Sequence, residues 1–179
     1  MTEPSEQSAL IKQAQSGDRA AFESLVRGHY DVMYRMAFKW CGDKADAEDI
    51  TQNACIKLAR SIDTFRFQSE FLTWLYRLVI NTAKDWAKAR PRQAVEQTIE
   101  IERAEAPVGE DKVYARQIMA YVQTMSDREK SALFLVFGEG LSHRQAATVM
   151  ACRESTVSWY IHEARKKLRS FQELERRHG

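Results

Sequence analysis

Glycine and proline are scarce, at seven and three in 179 residues. A many-stranded sheet needs turn residues at short intervals, so their scarcity favours helices with short connections. Cysteine is limited to Cys41, Cys55 and Cys152. An odd count with no Cys-x-x-Cys pair argues against a disulfide framework and against a zinc site. Each reads as a small hydrophobe in a reducing compartment. His29, His143, His162 and His178 do not cluster with cysteines or carboxylates at ligand spacing. No metal or other cofactor is therefore expected. Nor does any nucleophile, metal cluster or phosphate-cradling loop suggest an enzyme. No apolar run approaches the roughly 18 residues that span a bilayer. The start, MTEPSEQSAL, is polar and acidic and lacks the basic and apolar regions of a signal peptide. These absences lead to the expectation of a soluble, cytoplasmic chain without membrane insertion.

What is present suits packed helices: 44% hydrophobic and 29% charged residues. The formal net charge is only +2, but its distribution is uneven. Residues 84–92 are basic, 96–111 acidic and 165–177 basic again. Position matters more than the sum for nucleic-acid binding.

A first helix is expected over 5–16, stopped by Gly17, and Asp18 caps the next. That second helix runs to about Trp40, with Phe22, Leu25, Val26, His29, Met33, Met36 and Trp40 at helical spacing. Gly42 ends it. Asp43 caps a third helix with Ile50, Ala54, Leu58 and Ile62 on one face. Residues 62–69 lack a clear period, although Phe65 and Phe67 are too apolar for a purely solvated loop. A fourth helix, from Ser69 or Glu70, ends before Pro91. Residues 91–110 read as a linker with an r.m.s. span of roughly 25 Å and a full reach of about 70 Å, so the halves are free to sit apart. Beyond it lie a helix over 111–125, a second one capped by Ser126 with Glu129 in a capping box and carrying Leu133, Phe134, Val136 and Phe137, a short one over 143–150 and a last one over 155–174.

Residues 140–170 have the layout of a helix-turn-helix. Val157, Ile161, Ala164 and Leu168 form a packing face. Ser155, Ser158, Trp159, His162, Lys166 and Arg169 lie opposite. Base edges are read near the start of such a helix, which points to Ser158, Trp159, His162 and Glu163. Lys166, Lys167 and Arg169 suit phosphates, or else a solvated face. Trp159 either meets a partner or folds back onto a neighbouring helix.

The fourth helix has a core face of Phe71, Leu75, Leu78, Val79, Thr82 and Trp86. Arg77, Asn81, Lys84 and Lys88 line up opposite, at i, i+4, i+7 and i+11. An amide suits a base edge, and the cations suit phosphates. Trp74, at the border, is placed either to stack on an unpaired base or to join the core. Asp46, Glu48, Asp49 and Gln52 give the third helix an acidic start, which favours the helix dipole or a basic partner.

Together these segments resemble an extracytoplasmic-function (ECF) sigma factor of the sigma-70 family. DAEDITQNACIKL is similar to region 2.2, FLTWLYRLVINTAKDW to regions 2.3 and 2.4, and residues 125–168 to region 4. The resemblance covers most of the chain, with its motifs in order. It implies an all-α fold of two small helical domains: region 2 over 1–90, a flexible linker over 91–110, and a region 4 helix-turn-helix domain over 111–179. It implies a transcription initiation factor whose partners are core RNA polymerase (its β′ clamp and β flap), promoter DNA and an anti-sigma factor. By the same resemblance, Asp46, Asp49 and Gln52 would dock the β′ clamp. Trp74, Arg77, Asn81, Lys84 and Lys88 would hold the −10 element, and the loop over 62–69, with Phe65 and Phe67, would take a flipped base. Ser155, Ser158, Trp159, His162, Glu163, Lys166 and Arg169 would read the −35 element.

Three positions depart from the family pattern. Trp74-Leu75 stands where housekeeping members carry two adjacent Trp, implying weaker melting and stricter promoters. Ser158, Trp159, Tyr160 and Glu163 replace the Ser and Arg of many relatives. Ala151 occupies a turn position where Gly is usual, which is expected to tighten or shift the turn. A stand-alone helix-turn-helix regulator would leave the first half unused, and a protein-binding adaptor would need both basic stripes to be solvated faces.

Overall fold

The computed structural model describes residues 4–89 and 110–178. Its described residues form helices and short turns, without strands. Apart from Glu110, the expected linker lies outside them.

The first half is built from α1 (Pro4–Gln15), α2 (Arg19–Cys41), α3 (Lys44–Ser61), a 3-10 turn (Ile62–Thr64) and α4 (Phe71–Ala89). Asp18 accepts from the Ala21 amide at 3.1 Å and so starts α2. At the other end, Gly42 takes φ +79°, and Asp43 accepts from the Asp46 amide at 2.8 Å. One Gly-Asp pair thus stops α2 and starts α3. Leu25, Met33, Met36 and Trp40 of α2 are buried with Ile50, Ala54 and Leu58 of α3 and Phe71, Leu75 and Val79 of α4. Full burial of each such aliphatic contributes about 1.5–3 kcal/mol against solvent exposure.

The second half comprises α5 (Glu110–Gln123), α6 (Asp127–Leu133), a π-helical turn (Phe134–Gly138), α7 (His143–Met150) and α8 (Glu154–His178). Capping boxes open α6 (Ser126 with Glu129) and α7 (Ser142 with Gln145). They satisfy amides that a helix start leaves unpaired. The segment expected as one helix through Phe137 is α-helical only to Leu133 and then widens into the π-helical turn. Its Glu139 amide bonds the Phe134 carbonyl at 2.9 Å, five residues back. Sequence periodicity does not register a single wide turn.

The two halves pack together. Helix α4 lies against α7, and the Gln123 side-chain amide donates to the Lys39 carbonyl at 3.0 Å. The Lys130 ammonium lies 4.6 Å from the ring centroid of buried Trp40. Tyr76, Ile80 and Ala83, outside the expected core face of α4, are buried as well.

Candidate nucleic-acid interface

The last two helices meet as a helix-turn-helix. Val157, Ile161 and Ala164 are buried, and Leu168 is half-buried. The turn closes through the Cys152 amide on the Ala147 carbonyl at 3.1 Å, a Schellman-type ending. Ala151 adopts φ +51°, ψ +49°. Alanine therefore takes the left-handed geometry that Gly favours, and the turn is strained instead of shifted.

On the other side of α8, Ser155, Ser158, Trp159, His162, Lys166 and Arg169 are exposed, and Glu163 is half-buried. Trp159 is 56% exposed and meets the Tyr160 ring edge to face, at 5.1 Å between centroids. It does not fold back into the core. The Ser158 hydroxyl pairs with His143 Nδ1 at 2.8 Å, which ties the start of α7 to the first turns of α8. Lys167 differs from the phosphate role suggested for it: its ammonium bonds both Glu129 oxygens, at 2.7 and 2.9 Å. Burial alone would raise the Glu129 pKa, but bonds from Lys167 and Ser126 outweigh it and hold the carboxyl below its ordinary range.

Along α4, Arg77, Asn81 and Lys88 are exposed, and Lys84 is half-buried. The Arg77 guanidinium donates to the Thr148 and Val149 carbonyls at the end of α7. A cation there complements the helix dipole. Burial, aided by Arg128 and Lys88, lowers the Lys84 pKa, and Asp127 opposes the shift. Half of the basic stripe thus faces the second half of the chain.

Trp74 is half-buried, with its ring 5.6 Å from Phe65 and 5.8 Å from Phe71. It joins the core edge while keeping a partly open face. Phe65 is only 4% exposed and forms the floor beneath the loop, so it is corrected from a base-contacting residue to a support. Phe67, 40% exposed at φ +57°, is the ring that the loop presents.

The α3 patch also needs correction. Asp46 is 5% exposed and turned inward beside the Asp43 cap, away from the outward face expected of it. Asp49 and Gln52 remain outward with Asn53. Ile56, 49% exposed, completes a row at i, i+3, i+4 and i+7. The sequence carried a signal for it, because Ile56 falls off the buried series Ile50, Ala54, Leu58.

Among the described residues no cluster of ligating side chains could hold a metal, and no helix is long and apolar enough to cross a membrane.

Residues 25–93 match the model for sigma-70 region 2, and residues 115–168 match that for sigma-70 region 4. The chain is 33% identical to the RNA polymerase sigma-H factor of Pseudomonas aeruginosa, covering 89% of this chain and 90% of that protein. It is 31% identical to the ECF RNA polymerase sigma-E factor of Haemophilus influenzae, covering 94% and 96%. The fold is similar to that of CnrH, solved in complex with the cytosolic domain of CnrY, with a TM-score of 0.69 at 22% identity over 93% of this chain and 96% of that one. It is also similar to the sigma factor RpoE of Bartonella quintana, solved with the anti-sigma factor NepR, with a TM-score of 0.66 at 18% identity over 85% and 96%. Two ordered regions, their helix-turn-helix and full-length relatives agree: the chain belongs to the sigma-70 family of RNA polymerase sigma factors, in its extracytoplasmic-function group.

Proposed function

We propose that this chain brings core RNA polymerase to promoters by dividing recognition between its halves. The observation that carries the reading is α8: its apolar edge is buried against the rest of the half while Ser155, Ser158, Trp159, His162, Lys166 and Arg169 stay open along the other. A single α-helix fits the major groove. Trp159, His162, Ser158 and Glu163 read the −35 bases near its start, and Lys166 and Arg169 hold phosphates. In the first half, Asn81 addresses a −10 base, and Arg77, Lys84 and Lys88 neutralise the backbone. Phe67 and Trp74 receive a base flipped from the non-template strand. Flipping costs a few kcal/mol in unstacking, so a pocket that repays it for one base also promotes melting. Asp49 and Gln52, with Ile56 beside them, dock the β′ clamp, and the second half meets the β flap. The chain works in the cytoplasm as a specificity subunit and is not itself an enzyme.

Geometry adds a condition. Arg77 is engaged by α7, so the −10 face is free for DNA only when the halves part. A protein inhibitor of the anti-sigma kind, as the Bartonella quintana relative has, would act by holding them.

Run-off transcription from a promoter library with core polymerase tests the reading. Promoter-specific transcripts are expected; absence of both transcripts and core binding would overturn it. Asn81→Ala should lower open-complex formation about tenfold, the discrimination of one good base contact, with core binding retained. Loss of core binding instead would displace the stripe from DNA recognition.

A further inference from the structure

The loop that presents Phe67 is braced from a distant part of the chain. Gln15, the last residue of α1, donates from one side-chain amide to the Ile62 carbonyl at 2.9 Å and to the Phe65 carbonyl at 2.8 Å. An amide nitrogen has two hydrogens, and both are used. These acceptors stand at the start of the 3-10 turn and immediately beyond it. Two residues later, Phe67 takes its positive φ. A bulky residue keeps such a conformation only where its surroundings fix it. The Phe67 ring rests on Phe65 at 4.9 Å, and Phe65 packs on Phe71 at 5.4 Å. From α1 again, the Lys12 ammonium lies 5.7 Å from the Phe67 centroid. Ile11 and Ala14 anchor that helix in the core.

From this geometry we infer that Gln15 is a positioning residue for promoter selectivity: by holding the Ile62 and Phe65 carbonyls it sets where the Phe67 ring stands, and with it the base preferred at one −10 position. The inference rests on the reading of this loop as a base pocket. Discrimination by a ring requires placement within roughly 0.5 Å, which a loop tied only at its own ends does not supply. Lys12, beside the ring, adds positive charge where the strand backbone would pass.

The test uses the full chain with core polymerase, on promoters in which each −10 position is changed singly, with transcript yield as the readout. Phe67→Ala reports on the pocket itself and should flatten preference at one position by about tenfold. Gln15→Met keeps the length of the side chain but cannot donate. It should flatten preference at that same position, by about fivefold or more, with core affinity and −35 preference unchanged. If Gln15→Met melts too low to assay, the exposed Lys12→Met carries the same expectation at smaller amplitude. Phe67→Ala without effect at any position would sink the pocket reading and this inference with it. A flattened Phe67→Ala profile beside an unaltered Gln15→Met profile, or uniform loss at every position with Gln15→Met, would leave the pocket standing and overturn the brace.

Discussion

Ala151 carries a cost at the central turn of the helix-turn-helix. An L-residue in the left-handed region loses about 1–2 kcal/mol. Gly would avoid that loss while giving up roughly 0.5–1 kcal/mol of chain entropy. Ala151 is exposed, so little packing is at stake. Ala151→Gly should therefore stabilise the fold by about 0.5–1 kcal/mol. That is a rise of roughly 2–4 °C per kcal/mol in a chain of this size, read by thermal denaturation; no rise would mean the turn is not strained. At this scale the sequence was informative wherever helical period decides a side chain's direction. The buried Val157, Ile161 and Ala164, and the outward Arg77, Asn81 and Lys88, all followed from spacing. Asp46 obeys the same spacing, four residues before Ile50 and in line with the buried Ala54 and Leu58, although its charge alone suggested an outward place. Phe65 and Phe67 looked alike as a pair, and only the backbone reversal at Phe67 separates floor from face.

Among the elements, α6 is short, and its start is secured by a group that also reaches α8. Glu129 accepts from the Ser126 amide and hydroxyl and from the Lys167 ammonium. The capping box was readable because Ser-x-x-Glu is local. The Lys167 bond joins residues 38 positions apart, and no periodicity names such a partner. The same limit explains the π-helical turn, which one extra residue creates within an apolar run. Because the folded Glu129 carboxyl titrates below its ordinary value of 4.5, the stability it contributes is present above that value and is lost as pH falls through the folded pKa. Glu129→Gln should lower stability by about 1–2 kcal/mol at pH 7, the worth of a charge-assisted bond. The gap from the parent should narrow as pH falls from 7 through 4.5 and below. Urea unfolding across that range is the check, and a gap independent of pH would assign the effect to capping alone.

For the whole molecule, the decisive contact joins the two halves. Glu139 sits with its carboxylate almost buried. It bonds the Lys39 ammonium on one side and the Tyr76 hydroxyl at 2.7 Å on the other. Burial, with this bond adding to it, pushes the Tyr76 phenol well above its ordinary pKa, so it stays a donor at any physiological pH. Lys39 also donates to the Gly138 carbonyl at 2.9 Å, and a Cβ on Gly138 would meet that ammonium at 3.0 Å. The absence of a side chain there lets Lys39 lie flat across the turn. Lys39 and Glu139 are 100 residues apart and Tyr76 and Glu139 are 63 apart, so composition and period alone offered no sign that they meet. Glu139→Ala removes the acceptor from both donors and strands the Tyr76 hydroxyl. Losing charge-assisted bonds of this kind should weaken the closed arrangement by about 2–3 kcal/mol, a shift of roughly 30- to 150-fold toward separated halves. Small-angle X-ray scattering should then show a larger radius of gyration than the parent, with helical circular dichroism unchanged. Because Arg77 lies in the same contact, a single-stranded −10 oligonucleotide should bind the variant more tightly than the parent in the absence of polymerase. An unchanged radius would assign the closure to the Arg77 and Lys130 contacts and not to Glu139, whereas a larger radius without tighter binding would mean that the face uncovered is not the one that holds DNA.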